Sequence, residues 1–192
     1  MTETDSEKTF GPSAIATPAN AVTIIRLLLS PVAFALIINE PTSWPTVAMW
    51  FVLSTTDGVD GHIARRQGTT RSGAFLDPLA DKFLALGGMI SMVIAGVFWW
   101  VPVAIIVVRE LVISVFRSYW LRQGLAVPAS KGGKIKTFLQ LAAVGWVTLP
   151  WTADIEWLWQ GTLWAAVFMT VVSGVQYLLD GASATTDQGE MP

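Results

Sequence analysis

The 192-residue sequence contains no cysteine, which excludes disulfides and thiolate metal sites. Charge is scarce. Asp, Glu, Lys and Arg make up 14% of the residues, where a soluble domain carries about 25%. The formal net charge is −2, so there is no basic excess to suggest a nucleic acid partner. The first 20 residues lack the basic start and apolar run of a secretory signal. No internal repeat and no low-complexity segment is present.

What the chain has in quantity is apolar surface. Hydrophobic residues are 53% of the total and the mean hydropathy is +0.54. Both values favour an integral membrane protein over a globular one; the length suits one domain, and the helix-length apolar segments that follow make it all-α. A bilayer-crossing helix needs about 20 mostly apolar residues. Six segments qualify: 21–38, 44–64, 74–98, 99–120, 136–151 and 157–179, the fifth being short. They define a transmembrane domain over 18–179, flanked by polar tails at 1–17 and 180–192 that read as disordered.

Basic residues set the orientation. The connections near 39–43, 98–101 and 152–156 contain no Lys or Arg. The opposite side holds ten: Lys8, Arg65, Arg66, Arg71, Lys82, Arg117, Arg122, Lys131, Lys134 and Lys136. Arg26 and Arg109 are the two that remain, both within spans. Both termini are therefore expected in the cytoplasm. Trp44, Trp99, Trp100, Trp151, Trp157 and Trp159 gather at the opposite boundary, where amphipathic rings are favoured.

Against this background, residues 57–81 stand out: DGVDGHIARRQGTTRSGAFLDPLAD. If the second helix continues past its apolar run, Asp57, Asp60, Gly61, Ala64 and Arg65 share one face. Gly73, Asp77 and Asp81 share a face of the third helix, and the turn-like GTTRS between them lets the two pack side by side. Four converging carboxylates repel one another unless cations sit between them. Hard oxygen ligands favour Mg²⁺, Mn²⁺ or Ca²⁺ over zinc. Two such ions are a known device for phosphoryl transfer. Gly61, Ala64 and Gly73 clear a wall for a ligand, and Arg65 can meet a phosphate. An EF-hand loop is a poor alternative, since Asp57 to Gly61 lacks its alternating ligands. The plainer reading is a solvated loop of paired Asp and Arg. His62, the one histidine, is given no chemical role. Pro78, directly after Asp77, is expected to kink the third helix or to mark its start.

The segment resembles the signature of the CDP-alcohol phosphotransferase family, D-x2-D-G-x2-A-R-x7/8-G-x3-D-x3-D. Asp57, Asp60, Gly61, Ala64, Arg65, Gly73, Asp77 and Asp81 match all eight fixed positions over 25 residues. The resemblance implies that family's six-helix membrane fold and two bound divalent cations, Mg²⁺ or Mn²⁺. Asp57, Asp60, Asp77 and Asp81 would hold them. Asp81 would also be the catalytic base that takes the proton of an acceptor alcohol. The alkoxide would attack the β-phosphorus of a CDP-linked lipid, and CMP would leave. Gly61, Ala64, Arg65 and Gly73 would line the CDP-lipid site.

Four further pieces resemble one branch of that family, the bacterial phosphatidylglycerophosphate synthases. They are NAVTIIR at 20–26, LDPLADK at 76–82, RELVISVFR at 109–117 and PASKGGKIKTFLQ at 128–140. This likeness implies CDP-diacylglycerol and sn-glycerol 3-phosphate as substrates, phosphatidylglycerol phosphate as product, and a homodimer in the cytoplasmic (inner) membrane. It adds Asn20, Thr23 and Arg26 as candidates at the CDP-lipid site. For Asn20 and Thr23 the plainer role is helix initiation, and for Arg26 it is snorkelling.

An anionic acceptor also has support from the residues themselves. Arg109 falls near mid-span, where an isolated charge costs at least ~2.5–3.5 kcal/mol. Either it serves a cytoplasm-facing acceptor site or it pairs with a buried acid. Its neighbour Glu110 projects from a different helix face and need not be the partner. Arg117 lies eight residues on, on the same face. Lys131, Lys134 and Lys136 are expected at the mouth, with Lys134 the match to the family's lysine. Arg109, Arg117 and Lys134 are the candidate acceptor-phosphate contacts, and ordinary positive-inside topology is the alternative for the lysines. Rival functions are the same chemistry with phosphatidylglycerol (giving cardiolipin) or an inositol phosphate as acceptor, and, remotely, divalent-cation transport.

Overall fold

A computed structural model describes the backbone of residues 18–67, 73–122 and 132–189, and the side chains of 21–56, 79–116 and 135–179. The described residues form six helices and no strand. They are α1 (Pro18–Asn39), α2 (Trp44–Gln67), α3 (Gly73–Ile94), α4 (Trp100–Arg122), α5 (Gly132–Thr148) and α6 (Glu156–Gly189). Each expected span corresponds to one helix. The last runs on to Gly189, past the expected end at 179. The main packing partners are α5 with α6, α1 with α3 and α2, and α4 with α6.

Helix limits follow local chemistry. Ser43 precedes α2, and its hydroxyl accepts a hydrogen bond from the Thr46 amide at 3.4 Å, supplying a partner at the helix start. Thr46 Oγ1 donates in turn to the Glu40 carbonyl at 2.8 Å, closing the short α1–α2 turn. The third span ends earlier than its apolar run suggests. Gly96 takes the left-handed conformation, with φ of 76°. The amides of Gly96 and Val97 donate to the carbonyls of Val93 and Met92, each at 3.0 Å. That pair of bonds is the Schellman arrangement, which turns the chain out of the helix at Ile94 although Val97 and Phe98 are still apolar.

The three connections that lack Lys and Arg lie at one end of the bundle. Thr42 Oγ1 donates to the Val147 carbonyl at 2.9 Å, tying the first connection to the end of α5. Trp44 and Trp151 meet edge-on with ring centroids 5.3 Å apart, and Phe98 stacks on Trp159 at 5.6 Å. Trp159 is therefore buried core rather than a boundary anchor.

The core is packed through glycines of α3. Gly88 lies against the ring of Trp50, and Gly87 against Phe34, so closely that a methyl group at either would overlap the aromatic ring. Trp50 is buried and its Nε1 donates to the Leu141 carbonyl at 3.1 Å. This one side chain joins α2, α3 and α5. Leu84, Met89, Met92, Ile106 and Val144 complete the interior.

The outside is apolar too. Leu28, Phe51, Val115, Phe138 and Phe168 are each more than 60% exposed. Among the described residues, Ala21–Asn39 and Glu156–Leu179 are long and apolar enough to cross a membrane, and Ile135–Thr148 is a shorter apolar helix.

Candidate active site

The inward stripe of α1 begins polar and ends apolar. Thr23, Arg26, Ser30, Ala33 and Ile37 recur at helical spacing, and all are buried. Ser30 Oγ donates to the Arg26 carbonyl at 2.8 Å. The Arg26 side chain is 1% exposed, so it does not snorkel to the membrane boundary. A guanidinium so placed requires an anionic partner. Its Nη1 donates to Asp81 Oδ1 on α3 at 3.1 Å. The candidate base and a cation assigned to the CDP-lipid site are thus in direct contact.

Lys82, the next residue of α3, turns to the other side and meets Glu110 of α4, with Nζ 3.6 Å from Oε2. Glu110 is buried and collects two more cations. Arg109 Nη1 lies 2.9 Å from Oε1, and Lys136 of α5 pairs with the same oxygen. One expectation is decided here and one is corrected. Glu110 is a partner of Arg109. Adjacent residues are about 100° apart around a helix, but the arginine side chain is long enough to fold back across that angle. Lys136 is not at a solvent mouth but buried, because Glu110 draws its ammonium inward.

Hydroxyls and a glycine frame the cluster. Lys82 Nζ donates to Ser114 Oγ, which donates to the Glu110 carbonyl at 2.6 Å. Arg109 Nη2 donates to Ser173 Oγ of α6 at 2.9 Å, and Ser173 Oγ donates to the Thr170 carbonyl at 3.1 Å. The Arg109 side chain passes over Gly174, where an added Cβ would stand 2.8 Å from its Nε. Four helices thus converge on one carboxylate and three cations.

Of the four signature aspartates, only the Asp81 side chain is among those described. Asp57 and Asp60 sit toward the end of α2, and Asp77 in the first turns of α3. This matches the expected placement on two consecutive helices. Their side chains, and those of Asn20, Ala64, Arg65, Pro78, Arg117 and Lys134, lie outside the described residues, as do the surroundings of Gly61 and Gly73. Among the described residues, no three acidic or histidine side chains come together. Asp81 presents hard carboxylate oxygens and is one-third exposed, which suits a ligand for Mg²⁺ or Mn²⁺, although Arg26 already engages Oδ1.

Sequence reasoning missed Lys82 and Glu110. Glu110 left a signal, being the sole acidic residue between Asp81 and Asp154. A lone acid in so apolar a stretch has to find cations.

Comparison with known proteins shows the family. The family model for CDP-alcohol phosphatidyltransferase matches residues 16–184. A probable phosphatidylglycerophosphate synthase of Mycobacterium tuberculosis is 38% identical over 175 residues, covering 88% of this chain and 83% of that protein. A CDP-diacylglycerol–glycerol-3-phosphate 3-phosphatidyltransferase of Escherichia coli strain K12 is 34% identical over 175 residues, covering 87% of this chain and 96% of that protein. The Shigella flexneri protein of the same name matches to the same extent. With the family model spanning nearly the whole helical region, the chain belongs to the CDP-alcohol phosphatidyltransferase family.

Proposed function

We propose that this protein transfers the phosphatidyl group of CDP-diacylglycerol to sn-glycerol 3-phosphate, giving phosphatidylglycerol phosphate and CMP. The observation that carries the choice of acceptor is the position of the cationic cluster. Lys82, Arg109 and Lys136 gather one residue along α3 from Asp81. A group of cations such as this suits an acceptor that carries its own phosphate. The named activities of the relatives support the same reading.

The roles divide among the helices. Asp57, Asp60, Asp77 and Asp81 would hold two divalent cations, Mg²⁺ or Mn²⁺. When bound, such ions neutralise diphosphate charge and make CMP a better leaving group. Asp81 takes the proton of the acceptor hydroxyl, and Arg26 fixes its carboxylate from α1. Fixing the reacting groups supplies rate independently of basicity. Arg65 meets phosphate of the CDP-lipid, and Asn20 and Thr23 contribute to the same site from α1. Gly61, Ala64 and Gly73 give the nucleotide room to approach the backbone. Arg109 receives the acceptor phosphate together with Lys82 and Lys136, with Arg117 and Lys134 as the further contacts.

The same reading places the six helices across the cytoplasmic membrane, with both termini and the active site facing the cytoplasm. The one-sided distribution of Lys and Arg supports it, as do the apolar outer faces. The acyl chains of the donor enter sideways between helices. The working unit is a homodimer of the 18–179 domain.

The test is CMP release by the purified protein given CDP-diacylglycerol and Mg²⁺ or Mn²⁺ with each acceptor in turn. Release with glycerol 3-phosphate is expected. Release with phosphatidylglycerol instead would reassign the protein to cardiolipin synthesis, and release with an inositol phosphate to that branch. No release with any acceptor would refute the enzyme reading.

A further inference from the structure

Three cations share one carboxylate in the Glu110 cluster, and the arrangement has a charge count. Among the described residues, Lys82, Arg109 and Lys136 bring three positive charges and Glu110 one negative, leaving two positive charges uncompensated. Without Glu110 the three cations would repel one another and separate. With a second carboxylate the cluster would have little attraction left for an anion. A phosphate monoester carries close to two negative charges near neutral pH. A phosphodiester, such as the headgroup linkage of a lipid alcohol, carries one.

We propose that Glu110 is the positioning residue that sets acceptor specificity: it gathers Lys82, Arg109 and Lys136 from three helices and leaves these four described residues with a net charge of +2, matched to a phosphomonoester alcohol. This deepens the functional reading above and rests on it. The framing hydrogen bonds fit the role. Ser173 and Gly174 of α6 hold the Arg109 side chain from the side opposite Glu110, and Ser114 steadies Lys82. Lys82 and Arg109 therefore each have a fixed partner as well as the shared carboxylate, so these two cations are organised before the acceptor arrives.

The experiment measures KM for glycerol 3-phosphate and for CDP-diacylglycerol in the wild-type protein, Glu110→Gln, Glu110→Asp and Gly174→Ala. Glu110→Gln should raise the acceptor KM by about tenfold or more and leave the CDP-diacylglycerol KM within about twofold. Glu110→Asp, which keeps the charge but shortens the reach, should recover part of the loss. Gly174→Ala keeps all four charges and displaces only Arg109, so it should raise the acceptor KM selectively as well. Parallel changes in both KM values, or a fall in kcat alone, would overturn the proposal. If Glu110→Gln does not fold, Gly174→Ala decides, and an unchanged acceptor KM there counts against the proposal. A wild-type protein that releases no CMP with glycerol 3-phosphate overturns the functional reading and the proposal with it. A wild-type protein that does, with variants showing no selective change, overturns the proposal alone.

Discussion

Arg26 and Asp81, 55 positions apart in the chain, meet at 3.1 Å between α1 and α3. Removing one partner of a buried ion pair costs about 3–5 kcal/mol. Asp81 is one-third exposed, so the lower end of that range applies. Arg26→Ala should lower the thermal midpoint in detergent and reduce CMP release by about tenfold or more. Arg26→Lys should recover part of both, since a lysine keeps the charge but not the planar fork. A variant with wild-type midpoint and turnover would show that the contact does nothing for either.

The metal roles make a separate prediction. Asp57→Ala and Asp77→Ala should each reduce Mg²⁺- or Mn²⁺-dependent CMP release to below about one-thousandth of wild type. Helix content by circular dichroism should stay as in wild type. Substantial turnover in either variant would remove that aspartate from the cation site.

Two glycines should respond in opposite ways. Gly88 abuts the Trp50 ring, so Gly88→Ala overpacks the core and should destabilise the protein by about 1–3 kcal/mol. Gly161 on α6 has nothing within 4 Å of an added Cβ. Gly161→Ala should be neutral or stabilise by up to about 1 kcal/mol, from helix propensity alone. Thermal unfolding of the two side by side is the check. Equal midpoints would mean that Trp50 can move aside.

Arg109→Ala should raise the KM for glycerol 3-phosphate by about tenfold or more, with a smaller effect on CDP-diacylglycerol. Lys82 and Lys136 still neutralise Glu110 in that variant, so the helices should remain assembled. Saturation curves for the two substrates test this, and an unchanged acceptor curve would remove Arg109 from acceptor binding.

The helices were legible because each is an apolar run close to the length a bilayer-crossing helix needs. Gly96 shows the limit. The run through Val97 and Phe98 gives no reason to stop, and only the backbone bonds of the turn place the end of α3 at Ile94. The signature aspartates were legible from spacing, because helix periodicity converts intervals of three and four into a shared face. The Glu110 cluster was not. Its members come from positions 82, 109, 110 and 136, and periodicity within one helix says nothing about which faces of different helices meet. Lys136 was counted among the topological positives because loop proximity cannot distinguish a lysine that reaches water from one drawn to a buried acid.

Asp81 and Lys82 are consecutive, yet one serves α1 and the other α4. The third helix therefore works as an indexing shaft, and its rotational setting is read simultaneously by two neighbours. One residue inserted between Asp77 and Asp81 would turn everything beyond it by about 100°. Asp81 would leave Arg26 and Lys82 would leave Glu110 in a single step. The phase of α3 is thus fixed twice over, and the interval between Asp77 and Lys82 has no latitude for length change.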